Sequence, residues 1–333
     1  MNLLIDHIAI FILALVIDLT VGDPSEKREK FYPVVWISRL MYFFDRITRR
    51  GGGARREKML GVVYPLLILA IFVLPCLLLL LIPPTLSPLY IVLGALIFKM
   101  TFTIKGLECY GKKAMEATDL EQKREAVGKI VSRDVEGLDD EYLNSATVES
   151  IAENLTDSII APFFYFSIFG VFGAMIYRVI NTLDAVIGYK TEEYIHLGWF
   201  SARTDDLLNY VPERIAAYLI LLLSSSKIGT GTSRRNFKRT IRTVNSGNNE
   251  DDKVHLTIVA MSHALQVKLE KKGHYAIGTD TDTGTDTDED ELFERPSVDH
   301  IEGAIRIMKR SSLFFAFVCI VAIFLLHLLL LLS

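Results

Sequence analysis

The 333-residue chain contains only three cysteines, and none falls in a Cys-x-x-Cys or Cys/His spacing. That argues against a disulfide framework or a structural zinc site. Cys76 and Cys319 sit inside apolar runs and Cys109 just after one. Charge of one sign is missing too. A formal net charge of −4 over this length provides no basic field, so nucleic acid is not expected as a partner. There is no glycine-rich phosphate loop of Walker or dinucleotide-fold spacing, and Gly229-Thr230-Gly231 is too short a signal to use. The N-terminus has neither a basic leader region nor a small-residue cleavage motif, so a cleavable signal peptide is not expected. No period of about 20–50 residues repeats, which sets aside solenoids and arrays.

What the chain does have is apolar residues in blocks. Half of it is hydrophobic and the mean hydropathy is +0.32. Four blocks approach the ~20 apolar residues that a bilayer crossing needs: Leu3 to Val21, Gly61 to Ile82, Leu86 to Ile104 and Leu313 to Leu332. Asp6, His7 and Asp18 interrupt the first, Lys99 the third and His327 the fourth, while Pro83-Pro84 makes a tight link between the second and third. Basic clusters at Arg49 to Lys58, Lys105 to Lys113 and Lys309-Arg310 place those flanks in the cytoplasm by lysine/arginine bias. Four crossings satisfy that bias, with residues 105–310 cytoplasmic. By parity, the further apolar stretches Ile159 to Ile180 and Ile215 to Leu223 are expected to lie in or against the bundle, or to be re-entrant. The alternative is that both cross, the second using Val211 to Ser226. The fold class expected is therefore all-α: a polytopic membrane helical bundle, a single domain over 1–333, with cytoplasmic and re-entrant or membrane-apposed helices. The acidic Thr279 to Glu291 stretch, TDTDTGTDTDEDE, reads as a disordered insertion and lacks the full calcium-loop pattern.

The polar chemistry concentrates between Ser132 and Arg214. Within NSATVESIAENLTDS, with Asn144 or Ser145 as a helix cap, Glu149, Glu153 and Asp157 fall at i, i+4 and i+8 on one helical face, with Asn154 beside them. Like charges at that spacing destabilise a bare helix. The arrangement makes sense if a cation neutralises it, and carboxylate oxygens suit Mg²⁺. An ordinary solvated acidic face is the plain alternative, but the helix runs directly into an apolar stretch, an expensive place for unpaired acids. A second cluster holds Asn181 and Asp184, followed by Tyr189 and Lys190. A third holds Arg203, the adjacent pair Asp205-Asp206, Asn209 and Arg214. Paired acids can hold a metal against a phosphate, and the arginines can bind phosphate oxygens in bidentate fashion. Asp18 and Asp23, in DLTVGDP, sit at the end of the first block. They read either as part of the site or as a helix stop.

These motifs carry a resemblance. DLTVGDP at Asp18 to Pro24, SRDVEGLDDE at Ser132 to Glu141, VESIAENLTDSIIAPFFY at Val148 to Tyr165, NTLDAVIGYK at Asn181 to Lys190 and GWFSARTDDLLNYVPERI at Gly198 to Ile215 together resemble the CobD/CbiB family, the adenosylcobinamide-phosphate synthases of cobalamin biosynthesis. The resemblance implies a multi-pass cell-membrane enzyme with its active segment facing the cytoplasm. Such an enzyme joins the corrinoid adenosylcobyric acid to (R)-1-amino-2-propanol or its O-phosphate through an amide bond, with ATP and Mg²⁺. Membrane lipid and other corrinoid-pathway enzymes are its implied partners. Under that reading Glu149, Glu153 and Asp157, with Asp184, Asp205 and Asp206, are metal or base candidates, the first three as metal ligands. Asp18, Asp23, Arg133, Asn154, Asn181, Tyr189, Lys190, Arg203, Asn209 and Arg214 are substrate- or phosphate-binding candidates. The chain departs from the family at Tyr32-Pro33-Val34, where a His-Pro-Val is usual, and at Thr243-Val244-Asn245-Ser246-Gly247, where the family often has Ser-Pro-Asn-Ser-Gly. Two other classes remain open: a non-enzymatic membrane sensor or scaffold of the same superfamily, and a transporter that uses intramembrane acids as a relay.

Overall fold

In a computed structural model, which describes residues 3–23, 32–48, 53–189, 191–224, 254–278 and 293–332, the chain is built almost entirely of helices. Lys190, residues 243–247 and the 279–291 stretch lie outside the described residues. Contacts divide the chain into two compact units. The first comprises residues 1–105, 157–210 and 315–333, and the second residues 106–156 and 211–314.

In the first unit, α1 (Leu3–Thr20) ends where Val21 and Gly22 donate back to the Ile17 carbonyl, Gly22 taking a positive φ of 76°. α2 (Pro33–Ile47) begins on a proline, whose missing N–H costs nothing at a helix start. It buries Pro33, Ile37 and Met41, one face at i, i+4 and i+8. α3 (Ala54–Val73) continues as a 3₁₀ segment, Leu74–Leu81. The Pro83-Pro84 link then leads through a short 3₁₀ turn into α4 (Ser87–Lys99), which packs back on that 3₁₀ segment as the expected hairpin requires. α4 also packs along α1, closely enough that a β-carbon at Gly94 would lie 2.7 Å from Ile10 Cδ1. Phe11, Phe98, Phe102, Phe163 and Phe166 form the aromatic core here, with Phe98 and Phe166 stacked at 4.0 Å. α8 (Ala161–Ile187) is kinked at Gly170, where φ is +63° and a β-carbon would press on the His7 ring at 2.7 Å.

In the second unit, α5 (Lys105–Glu116) and α6 (Leu120–Gly128) precede α7 (Asp140–Leu155). Asn144 and Ser145 do not cap α7. Asp139 does, accepting from the Tyr142 N–H at 3.1 Å, and this leaves Asn144 and Ser145 buried one turn inside. Leu143 through Ala152 is buried on every face of α7, so the small hydroxyls turn inward: Thr147 donates to the Leu143 carbonyl and Ser150 to the Ile130 carbonyl. α10 (Leu256–Leu265) and a β-hairpin, Leu269–Lys271 antiparallel to Tyr275–Ile277, pack on α7.

Helices α9 (Trp199–Ser224) and α11 (Val298–Leu332) complete the chain. By length and composition, four helical stretches can cross a membrane: Ala54–Leu81, Asp140–Ile187, Trp199–Ser224 and Val298–Leu329. Two contain the expected 61–82 and 313–332 spans. The expected 86–104 span is shorter as a helix, within Pro84–Lys99, because the chain leaves helix after Lys99. The other two long stretches contain 159–180 and 211–226. Length argued against the latter as a crossing, but Pro212 does not end that helix, which starts at Trp199 and runs 26 residues.

Candidate functional site

The first unit assembles a buried polar cluster in two linked parts. In the first part, Lys99, the lone charge of its apolar helix, places Nζ 3.0 Å from Asp18 Oδ1 and 2.7 Å from Asp23 Oδ1. Tyr32 donates to Asp23 Oδ1 at 2.9 Å and Thr103 to Asp23 Oδ2 at 2.6 Å. Burial above all, with Asp23 adding and Lys99 opposing, pushes the Tyr32 phenol up to about 12, so it stays protonated and donates. The backbone N–H groups of Ile104 and Lys105 donate to Asp18 Oδ2 at 3.0 and 3.2 Å. Asp18 and Asp23 thus do more than stop a helix. They hold the turn that follows α4.

That same turn joins the second part. The Thr101 carbonyl accepts from Arg178 Nε at 2.8 Å and Nη2 at 2.6 Å. Arg178, fully inside the unit on α8, also donates to the Asp157 carbonyl at 3.0 Å and to Asn181 Oδ1 at 3.1 Å. Asn181 Nδ2 then donates to Asp205 Oδ1 at 3.3 Å. Asn209 Nδ2 donates to Asp205 Oδ2 at 2.9 Å and to Asp157 Oδ1 at 3.1 Å, so a single amide ties the two carboxylates together. Tyr177 donates to Asn209 Oδ1 at 2.8 Å, which fixes which end of that amide is the oxygen. Asp184 lies near enough to Asp205 to interact electrostatically. In this unit Asp18, Asp23, Asp157, Asp184 and Asp205 outnumber Lys99 and Arg178. Such a surplus of buried acid calls for protons or a cation.

The adjacent acids Asp205 and Asp206 do not act as a pair. Successive helix positions point about 100° apart, so Asp205 is buried in the cluster while Asp206 is exposed. Arg203 and Tyr189 are exposed as well.

In the second unit, Glu149 is nearly enclosed. Ser145 donates to it at 2.7 Å, Tyr275 at 2.7 Å and Arg133 Nη2 at 3.3 Å to both oxygens. Burial first, and Glu149 next, push the Tyr275 phenol far above its ordinary range, so it remains a donor. Glu153, half-exposed, faces His255 Nε2 at 3.5 Å, and His255 Nδ1 lies 3.2 Å from Glu213 Oε1. Glu213 also accepts the Leu256 N–H at 2.8 Å, at the start of α10. Asn154 turns back to the Ser150 carbonyl at 2.9 Å, and Arg214 is partly buried.

The three-carboxylate face Glu149, Glu153 and Asp157 is therefore not one convergent set. Glu149 and Glu153 belong to the second unit and Asp157 to the first, and a π turn at Thr156–Ile160 breaks the regular register between them. Among the described residues no three of His, Cys, Asp and Glu converge as a metal site. Sequence reading missed Lys99, Arg178, Tyr177 and His255. For Lys99 and Arg178 the available signal was a lone cation within an apolar run, which requires a buried counter-ion.

A family model described as "CobD/Cbib protein" matches residues 11–308. A Thermococcus kodakarensis protein named "Probable cobalamin biosynthesis protein CobD" is 42% identical over 267 residues, 80% of this chain and 83% of that protein. A Pyrococcus furiosus protein of the same name is 40% identical over 265 residues, 79% and 85% of the two chains. The "Cobalamin biosynthesis protein CobD" of Dehalococcoides mccartyi is 37% identical over 275 residues, 81% and 86%. No solved structure matches.

Proposed function

The chain belongs to the CobD/CbiB family, and from that premise we propose that it is an ATP-dependent, amide-forming ligase of cobalamin biosynthesis. It would join adenosylcobyric acid to (R)-1-amino-2-propanol or its O-phosphate. The observation that carries this reading is the Asp157–Asn209–Asp205 tie, backed by Arg178 and Lys99.

A carboxylate does not react with an amine until it is activated, ordinarily as an acyl phosphate. That step needs phosphate charge neutralised and the reactants oriented. Mg²⁺ bound with ATP supplies that neutralisation, and it is usually held by one or two protein carboxylates together with phosphates and water, not by an all-protein cage. The absence of a three-carboxylate site among the described residues fits that habit. Asp157 and Asp205 offer only hard oxygen donors and are the residues we assign to hold it. Asn209 fixes their spacing, and Arg178 holds the Asp157 backbone and Asn181 in place. Glu153 is the carboxylate left accessible to take a proton from the amine.

The test is direct. Purified protein in detergent, given adenosylcobyric acid, either amine form, ATP and Mg²⁺, should yield the amide by mass spectrometry. No product, where a family relative makes it under the same conditions, would refute the assignment. Charged groups buried among apolar helices also favour a second reading, an ion or proton relay. Flux across proteoliposomes without ATP would support that reading instead.

A further inference from the structure

The second unit contains a cleft that the reading above does not use. It measures about 140 Å³ and opens between the segment before α7 and the β-hairpin. Arg133 and Asp134 stand on one side, and Glu270, Lys271, Lys272 and His274 on the other. Its cations are held in place. Arg133 is anchored on the enclosed Glu149, and Lys272 Nζ sits 4.0 Å over the Tyr142 ring. Lys271 forms no ion pair among the described residues. The acids are placed too. Glu270 accepts from the Tyr142 hydroxyl at 3.3 Å while its own N–H donates to Ser145 at 2.9 Å, and Asp134 accepts from the Glu136 N–H at 3.0 Å.

A cleft lined by one sign would suit a simple ion. This one offers a guanidinium and two ammonium groups beside two carboxylates, in a space below the ~300–1,000 Å³ usual for drug-sized ligands. We propose that it binds a small phosphomonoester that also carries an ammonium group. The phosphate lies against Arg133, Lys271 and Lys272, and the ammonium against Asp134 and Glu270. Arginine offers a fork to phosphate oxygens and lysine a point charge. A whole nucleotide exceeds the space. Naming the ligand as the O-phosphate of the amino alcohol rests on the ligase reading; the charge pattern and size of the cleft do not.

The experiment is calorimetric titration of the full chain in detergent with (R)-1-amino-2-propanol O-phosphate, the unphosphorylated amine, inorganic phosphate and ATP. The phosphorylated amine should bind, and the double variant Lys271→Gln/Lys272→Gln should raise its Kd about tenfold or more, ~1.4 kcal/mol. Lys129→Gln, a surface change in the same unit outside the cleft, should leave it unchanged. Asp134→Asn should weaken the phosphorylated amine but not inorganic phosphate. An unaltered Kd in the double variant overturns the proposal. So does inorganic phosphate binding as tightly as the phosphorylated amine, or a loss confined to ATP. If the phosphorylated amine binds and responds to the variants while no amide forms, the cleft stands and the ligase reading falls. If amide formation from the phosphorylated amine is untouched by the double variant, the cleft falls and the ligase reading stands.

Discussion

Replacing Lys99 by Met removes the ammonium group and keeps most of the apolar stem. Two carboxylates then lose their counter-ion, but they differ in recourse. The Asp23 side chain is 27% exposed and can recruit water, whereas the Asp18 side chain is 0% exposed and cannot. Removing one partner of a buried pair costs about 3–5 kcal/mol, because the remaining charge is stranded. Asp18 keeps the amides of Ile104 and Lys105, hydrogen bonds of the charged type worth ~1.5–3 kcal/mol each. The loss should therefore sit near the lower end, about 3 kcal/mol. Adding Asp18→Asn removes the stranded charge and should return part of that loss, so the two changes should couple by roughly 1 kcal/mol or more. The assay is unfolding in detergent micelles followed by fluorescence of Trp36 and Trp199, for the two single variants and the double. A Lys99→Met variant within about 0.5 kcal/mol of the parent, or additive single changes, would show that the pair does not hold the turn after α4.

The remaining expectations are more compact. Asn209→Leu should cut ligase turnover by about 10–100-fold, as loss of a carboxylate-orienting group does, with circular dichroism unchanged; parental activity would remove the amide from the site. Glu153→Gln should abolish activity with membrane insertion intact, whereas Glu149→Gln should chiefly lower the unfolding midpoint, since Glu149 is already taken up by Ser145, Tyr275 and Arg133; normal growth of a cobalamin auxotroph carrying only the Glu153 variant would exclude that residue. Gly94→Leu should destabilise by about 1–3 kcal/mol through overpacking against Ile10, read as a lower midpoint in the same unfolding assay. Glu108 is raised by burial but lowered more by hydrogen bonds from Lys112 and Lys309, leaving its carboxyl below the ordinary range. Its contribution is thus present above the ordinary carboxylate pKa of about 4.3 and is lost as pH falls through the lower folded value. Glu108→Gln should flatten the acid limb of stability against pH, and an unchanged limb would refute the pairing.

The helical class was legible because long apolar runs leave few alternatives once their backbone groups must be satisfied internally. Helix limits were less so. Asn144 and Ser145 look like caps by composition, but the first turn of α7 is decided by Asp139, whose oxygen meets the Tyr142 N–H. The 211–226 stretch looked too short because hydropathy was counted over its apolar half alone. Its polar half, from Trp199, forms helix because one face of it, Ser201, Asp205 and Asn209, is buried. Burial on one face is a tertiary fact, and a linear window does not register it.

The site was legible in its acids and illegible in its cations, for one physical reason. Clustered carboxylates at i, i+4 advertise themselves, whereas a single Lys99 or Arg178 inside an apolar run reads as an interruption. Yet a lone charge in such a run is the stronger statement, since its desolvation must be repaid by a partner. Applied in advance, that rule sends Lys99 to the nearest acids that can share its depth, which are Asp18 and Asp23, and Arg178 to the polar residues one turn away, which include Asn181. The i, i+4 rule fails for a complementary reason. It assumes an unbroken α register, and the π turn at Thr156–Ile160 interrupts it, so Asp157 joins Asn209 and Asp205 within the first unit while Glu153 meets His255 within the second. Carboxylates aligned in sequence are thereby assigned to different chemistry, Asp157 to a shared anionic centre and Glu153 to an imidazole. The variants Asn209→Leu and Glu153→Gln separate these roles, because the first disturbs only carboxylate spacing and the second only proton acceptance.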